Sequence, residues 1–426
     1  MNLHHFRLLF RLDPNTFSAL KSRNFTLFLA GQSAAMTGVW VQKLANSWLV
    51  YRLTESPLKL GLVELLANAP IFIVGLLAGA YLEQHDKRKT LMVTQFLTML
   101  HAVIMAILVL TNTVNYYLIL ILSLYLGIVS AIDMPARQSS ILLMVESRKT
   151  LKSALSLQSM TFNLSRLIGP SIAGFIVYYA GEGLCFLLTA VLYLPVLYVL
   201  YTIRFNEMPH DKKKHNMIND VAEGLKYVKN FYSLKTLFIF LAIFGLFSYS
   251  YTVMFPIFAK DILHGNSRLL GLLMGLFGFG AIIGAFSVAS IMRLEAMPKP
   301  IVKVSVLYAL SLAVFAISPF PALSMLVVIP AGLGLVATFI ATNTIFQTIS
   351  SVEMRSRVIS LYTIVNLGLG PIGCFFAGTV TEHIPPQATM LIWSLIMMLA
   401  SLYLFINMKK VNKEIRPIIK DLDKTS

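Results

Sequence analysis

Apolar residues in this chain come in long, nearly unbroken runs, neither the strict alternation of a strand nor the one-sided stripe of a surface helix. Such runs lie near residues 25–51, 58–82, 90–111, 116–136, 153–179, 184–204, 235–260, 268–293, 301–318, 321–343, 357–382 and 387–407. Their length, around 20 residues, is what carries an α-helix across ~30 Å of hydrocarbon. Short polar turns, such as Arg52 to Pro57, join neighbours and make them antiparallel. The pattern predicts an all-α membrane protein of twelve transmembrane helices.

Composition agrees with a bilayer as solvent. Hydrophobic residues make up 57% of the 426 and charged residues 13%, against roughly 45–50% and 25% in a soluble domain. So little charge does not cover a water-facing surface of this size. The first 24 residues carry Arg7, Arg11, Lys21 and Arg23 without a compact apolar core or a small-residue cleavage site. A cleaved signal peptide is therefore not expected, and targeting falls to the first membrane helix.

The sequence also repeats itself. Val145-Glu146 recurs as Val352-Glu353, Ser156-Leu157 as Ser360-Leu361, Asn163 as Asn366, Gly169-Pro170 as Gly370-Pro371, and Ala173-Gly174 as Ala377-Gly378. A near-constant offset of about half the chain predicts two pseudo-symmetric six-helix bundles related by an axis along the membrane normal. The expected division is a cytoplasmic N-terminal segment 1–24, a first bundle 25–204, a linker 205–234, a second bundle 235–407 and a basic tail 408–426. The linker holds Asp211 to Lys214 and an amphipathic stretch from Val221 to Val228. At about 30 residues it is too short to bury a core of its own. Gly169-Pro170 and Gly370-Pro371 lie within spans. There a lost backbone donor and a close neighbour mark either a packing kink or a bend of a broken helix beside the pathway.

The net charge of +16 raises the question of nucleic acid, which its distribution answers. Of the 35 basic residues, 29 collect in the termini and the loops on one side. That asymmetry is positive-inside topology, with both termini cytoplasmic and attraction to anionic lipid heads, and no nucleic-acid partner is expected. Cys185 and Cys374 fall in separate spans and read as small hydrophobes, with neither disulfide nor metal cluster expected.

Ionisable residues at bilayer depth are paired, line a cavity or take part in transport. Lys43 lies ~8 Å outward from the middle of the first span and Glu64 ~9 Å outward from the middle of the second, at a rise of 1.5 Å per residue. A Lys43–Glu64 pair is expected, either structural or functional. Gln42, Asn46 and Asn68 extend its polar face and favour a cavity. Arg166 falls near the centre of the fifth span, one turn beyond Asn163, without a carboxylate at its depth. It either hydrogen-bonds carbonyls of neighbouring helices or offers a cationic contact to an anionic substrate. The second half contributes Tyr249, Ser250, Tyr251, Thr338, Thr342, Asn343 and Asn366, either as packing or as contacts for a bulky organic solute.

No Gly-x-x-x-x-Gly-Lys-Ser/Thr loop occurs, so ATP hydrolysis within the chain is not expected and a proton gradient is the simplest energy source. Glu64 and Asp133 are the proton-coupling candidates, with His101 as a further carrier or a buried bystander. Gly271, Gly275, Gly280 and Gly284 read as small residues that let helices approach, not as a nucleotide fingerprint. No His-Glu-x-x-His or Gly-x-Ser-x-Gly motif suggests an enzyme, and no cofactor is implied.

Several local runs carry a resemblance. They are Trp40-Val41-Gln42 with Trp48-Leu49-Val50, the loop Gly79 to Lys89, Asp133-Met134-Pro135-Ala136-Arg137-Gln138, and Asn163 to Pro170. Together they resemble the major facilitator superfamily, in the branch of enterobactin exporters and macrolide efflux proteins. Glu83-Gln84 replaces the family's usual Asp-Arg in that loop. The resemblance implies a cytoplasmic gate of Glu83, Asp86, Lys87, Arg88, Asp133 and Arg137, in which Lys87 and Arg88 pair with Asp133. It also implies that the chain works as a monomeric, proton-coupled exporter in a bacterial inner membrane. The expected function is export of a small anionic organic molecule such as a siderophore by alternating access, around a site including Arg166, Lys43 and Glu64. A broad drug efflux pump and a non-transporting receptor or scaffold are the alternatives.

Overall fold

The computed structural model describes residues 17–145, 147–203, 217–291 and 298–425, and the predicted runs are helices. They are α1 (Arg23–Thr54), α2 (Pro57–Gln84), α3 (Lys87–Leu110), α4 (Tyr116–Leu142), α5 (Arg148–Ala180) and α6 (Glu182–Thr202). A shorter α7 (Met217–Asn230) follows, then α8 (Tyr232–Ser248), α9 (Tyr251–Ile257) and a π-helical turn (Phe258–Ile262). The remainder are α10 (Ser267–Ile291), α11 (Pro298–Ile317), α12 (Pro321–Ile349), α13 (Arg355–Thr381) and α14 (Pro386–Thr425). Among the described residues, ten segments combine the length and apolarity needed to cross a membrane, with α8, α9 and the π-turn counted as one. The 32-residue α1 and 28-residue α2 are also long enough to span.

Caps set the helix starts. Ser22, Ser56, Asp86, Asn115 and Ser147 each accept a backbone N–H of the first turn, and Pro57 occupies the first position of α2. Gly181 alone joins α5 to α6, at φ +80°, where a side chain would be strained.

The chain forms two compact units, one of residues 1–212 with Phe255–Gly275 and one of Lys213–Met254 with Leu276–Ser426. Within the first, α1 packs on α5 and α6, α3 on α4 and α6, and α2 on α4. Within the second, α8 packs on α13 and α14, α11 on α12 and α14, and Gly280 and Gly284 of α10 lie against Ile329 and Leu333 of α12. Each pairing of the first half recurs between its counterparts in the second, as the internal repeat requires.

The structure adds detail to the tail and the linker. Helix α14 continues through the basic tail, burying Val411, Ile415 and Ile419, while Glu414 accepts from the N–H (2.7 Å) and hydroxyl (2.5 Å) of Ser233 at the start of α8. A carboxylate at a helix N-terminus satisfies otherwise orphaned donors. The amphipathic linker segment is α7, which buries Gly224 and Val228 and pairs Glu223 with Arg357 at 2.7 Å.

Segment 255–275 belongs by sequence to the second half yet packs in the first unit. Gly271 meets Gly174 and Pro170 of α5, Gly275 meets Ser171, and the Ser267 hydroxyl donates to the Gly174 carbonyl at 3.0 Å. Lys260 pairs with Glu55 at 2.8 Å and Asp261 accepts from the Tyr51 hydroxyl. The Lys260 ammonium holds the exposed Glu55 carboxyl below its ordinary range. Charge reversal in Glu55→Lys is expected to speed amide hydrogen exchange across residues 255–275, and Glu55→Lys/Lys260→Glu to restore it. Equal exchange in all three proteins would show that the ion pair does not hold the segment.

Candidate functional site

Lys43 of α1 connects two further candidates of the first unit, Glu64 of α2 directly and Arg166 of α5 through the Trp40 ring. Trp40 and Lys43 lie three residues apart, so α1 presents them on one face. Lys43 Nζ stands 3.7 Å from the Glu64 carboxylate, a charge contact beyond hydrogen-bond range. Asn68, one turn further along α2, donates its amide to the Glu64 carbonyl at 2.9 Å and reaches the carboxylate at 3.5 Å. The expected Lys43–Glu64 pair is thus present, and Asn68 supports it.

Arg166 is only 8% exposed, and an aromatic face is among the groups it meets. Its guanidinium carbon sits 5.5 Å from the Trp40 ring centroid, with Lys43 Nζ 5.7 Å from the same ring. Two cations therefore share one indole, whose negative face contributes about 0.5–2 kcal/mol to each such contact. The indole N–H itself is buried without a hydrogen-bond partner among the described residues.

Gly169 explains how Trp40 is held. A Cβ built on Gly169 would lie 2.6 Å from the Trp40 Cβ and 3.0 Å from the Thr37 carbonyl oxygen, so only glycine lets α5 come this close to α1. Gly370 repeats the device in the second unit, where a Cβ would lie 2.7 Å from Tyr249. Tyr249 stacks on Phe339 at 5.6 Å and donates its hydroxyl to the Asn366 side-chain oxygen at 3.2 Å. Both α5 and α13 continue as helix through Pro170 and Pro371. Losing a single donor leaves the rest of each helical ladder in place.

An interruption lies in the seventh span, between Ser248 and Tyr251, which the sequence reading treated as continuous. The run Ser248-Tyr249-Ser250-Tyr251 was its available signal. Carbonyls freed there find partners: Tyr308 donates to Ser248, while Thr252 (3.0 Å) and Cys374 (3.3 Å) reach Tyr249. In hydrocarbon such non-helical backbone persists only when side chains satisfy it.

Other candidates are placed elsewhere. Gln42 turns to His101 Nδ1 at 3.1 Å, Asn163 donates back to the Ser159 carbonyl at 2.8 Å, and Asn46 is half-buried on α1. Thr338 and Thr342 are fully buried and donate to carbonyls of their own helix, so they do not line a cavity. Asp133, 5% exposed, accepts from Thr94 and Gln95 at 2.8 Å each and from Arg137 at 2.5 Å.

The gate departs from its expected pairing. Arg88 donates to the Leu200 carbonyl at 2.6 Å and the Tyr201 carbonyl at 2.5 Å, closing the end of α6, and not to Asp133. A cation at a helix C-terminus meets exposed carbonyls and the negative end of the dipole. Asp86 caps α3 by accepting from the Arg88 and Lys89 amides, Lys87 opens that helix, and the Glu83 side chain lies outside the described residues. The Arg52–Glu182 pair, hydrogen-bonded at 2.8 and 3.2 Å, ties α1 to α6 and was not anticipated. Among the described residues no group of three or more His, Cys, Asp or Glu gathers to hold a metal.

Similarity to known proteins agrees with this architecture. The sequence matches the transmembrane secretion effector family over residues 14–420. It is 26% identical to the staphyloferrin A transporter of Staphylococcus aureus over 280 residues, covering 64% of this chain and 66% of that protein. It is 25% identical to the multidrug efflux pump Tap of Mycolicibacterium fortuitum over 383 residues, 88% and 92% of the two chains. A solved structure of the peptide transporter POT in complex with sulfate superposes with a TM-score of 0.73 at 12% identity, covering 92% of this chain and 96% of that one.

Gly169→Val is expected to cost about 1–3 kcal/mol through overpacking against Trp40, whereas Ile172→Val on the exposed face of α5 should stay within about 0.5 kcal/mol. Chemical denaturation in mixed micelles, followed by tryptophan fluorescence, measures both. Equal stability of the two variants would mean that Gly169 is not the seat of Trp40.

Proposed function

The chain belongs to the transmembrane secretion effector family of the major facilitator superfamily, and from that premise we propose that it exports a small organic anion in exchange for protons. The observation that carries the anionic cargo is the Arg166–Trp40–Lys43 cluster, where two cations and an unpartnered indole N–H converge. Two cations brought to one aromatic face at membrane depth suit a negatively charged ligand. Likeness to the staphyloferrin A transporter supports a siderophore-like cargo.

Glu64 is the proton carrier in this reading. Its carboxylate faces Lys43 at 3.7 Å, so a proton exchanged there changes the charge beside the cargo site. Asp133, already holding three donors, organises the basic-loop end of α3 and α4 alongside Arg137. Tyr249 and Asn366 form a polar aromatic patch in the second unit. The protein acts as a monomer by alternating access in a bacterial cytoplasmic membrane, with both termini in the cytoplasm.

A second reading, a broad pump for hydrophobic drugs, is favoured by the longer alignment with Tap and by the Tyr249–Phe339 stack. Export of labelled cargo from loaded cells distinguishes them. Arg166→Ala is expected to slow export of an iron-chelating anion at least tenfold while sparing neutral drugs, and Glu64→Gln to remove the response to an imposed pH gradient. Unchanged anion export in both variants would sink the site assignment. Comparing the medium of cells with and without the chain under iron limitation identifies the cargo: loss of one chelator supports the anion reading, and matching media favour the drug pump.

A further inference from the structure

A cleft of about 420 Å³ opens between α3 and α4 in the first unit, away from the cluster described above. Its polarity runs in one direction. His85 and Lys89 stand at the end formed by the α2–α3 loop, and Val93, Leu97, Ile128 and Ile132 wall the rest. From Lys89 to Leu97 the groove follows α3 for about 12 Å. Val93 is 53% exposed and Ile128 41% exposed, so the lips of the cleft lie on the outer surface of the unit, where acyl chains pack.

Charge at the rim is also directed. Residues 85–89 read His-Asp-Lys-Arg-Lys. Asp86 spends its carboxylate on the α3 amides of Arg88 and Lys89, and Arg88 is drawn to the carbonyls of α6. Lys89 remains exposed at the mouth, beside His85. A basic head region above an apolar groove open to the bilayer matches an amphiphile with an anionic head and a hydrocarbon chain.

We propose that this cleft is a binding site for an anionic phospholipid of the leaflet facing the basic loops, with its phosphate at Lys89 and His85 and one acyl chain between α3 and α4. The floor of the site is part of a polar network. Thr94 lines the cleft and donates to Asp133, while Tyr125 donates to the Leu97 carbonyl at 3.1 Å and stacks on His101 at 6.3 Å. A lipid seated there bears directly on the groups that hold Asp133 and Arg137.

The test is native mass spectrometry of the full chain, released from micelles that contain phosphatidylglycerol or phosphatidylcholine of identical acyl composition. The wild-type protein should retain one phosphatidylglycerol at least fivefold more tightly than phosphatidylcholine, the scale of one lysine at an anionic surface. Lys89→Glu should abolish that preference, and Val93→Trp, which fills the cleft from its exposed lip, should reduce retention of both lipids. Lys152→Glu, an exposed charge elsewhere, should match the wild type. Equal retention of the two lipids by the wild type, or full preference in Lys89→Glu, overturns the proposal. Displacement of phosphatidylglycerol by millimolar inorganic phosphate also overturns it, because the rim alone would then be the site.

Discussion

Hydrocarbon supplies no hydrogen-bond partner, so every polar group placed at membrane depth must be answered from within the protein. That constraint accounts for most of the unexpected contacts. Tyr308, Thr252 and Cys374 converge on the carbonyls freed where the seventh span is interrupted. Thr94, Gln95 and Arg137 surround Asp133. Arg88 is used on the carbonyl end of α6. Hydroxyls with no such task, including those of Thr338 and Thr342, return to their own helices.

Where the chain does not fully satisfy that demand, it leaves chemistry available. The Trp40 indole N–H has no partner among the described residues, and two cations stand near its ring. Its position depends on Gly169, whose missing side chain admits α1 to the surface of α5. Gly370 does the same for Tyr249 in the second half. The repeated Gly-Pro thus seats an aromatic residue in each unit, which links the duplication of the fold to the two polar aromatic patches.

The legible part of the site was the part governed by depth and spacing. Lys43 and Glu64 share a level on antiparallel neighbours, so their pairing followed from helical rise alone. Arg166 was recognisable as a buried charge, but not its partner, because cation–π contact with Trp40 depends on how α1 and α5 are rotated about their axes. The contact of Arg88 was not legible for a related reason. Arg88 reaches α6, whose end approaches α3 only in the folded unit, and helix-end carbonyls leave no mark in a sequence. Gln42 likewise belonged to the polar face of α1 on spacing but turned toward His101 on α3.

By itself the sequence determined the solvent, the helical class, the duplication and the residues too polar to be idle, because hydrophobic length, period and charge act locally along the chain. Tertiary structure alone decided which helix faces meet. It placed Phe255–Gly275 in the first unit and carried α14 through the basic tail. It also brought the Arg166 guanidinium to the face of the Trp40 indole. These outcomes rest on close packing between elements distant in sequence, where a missing Cβ or a rotation of one helix changes the partner.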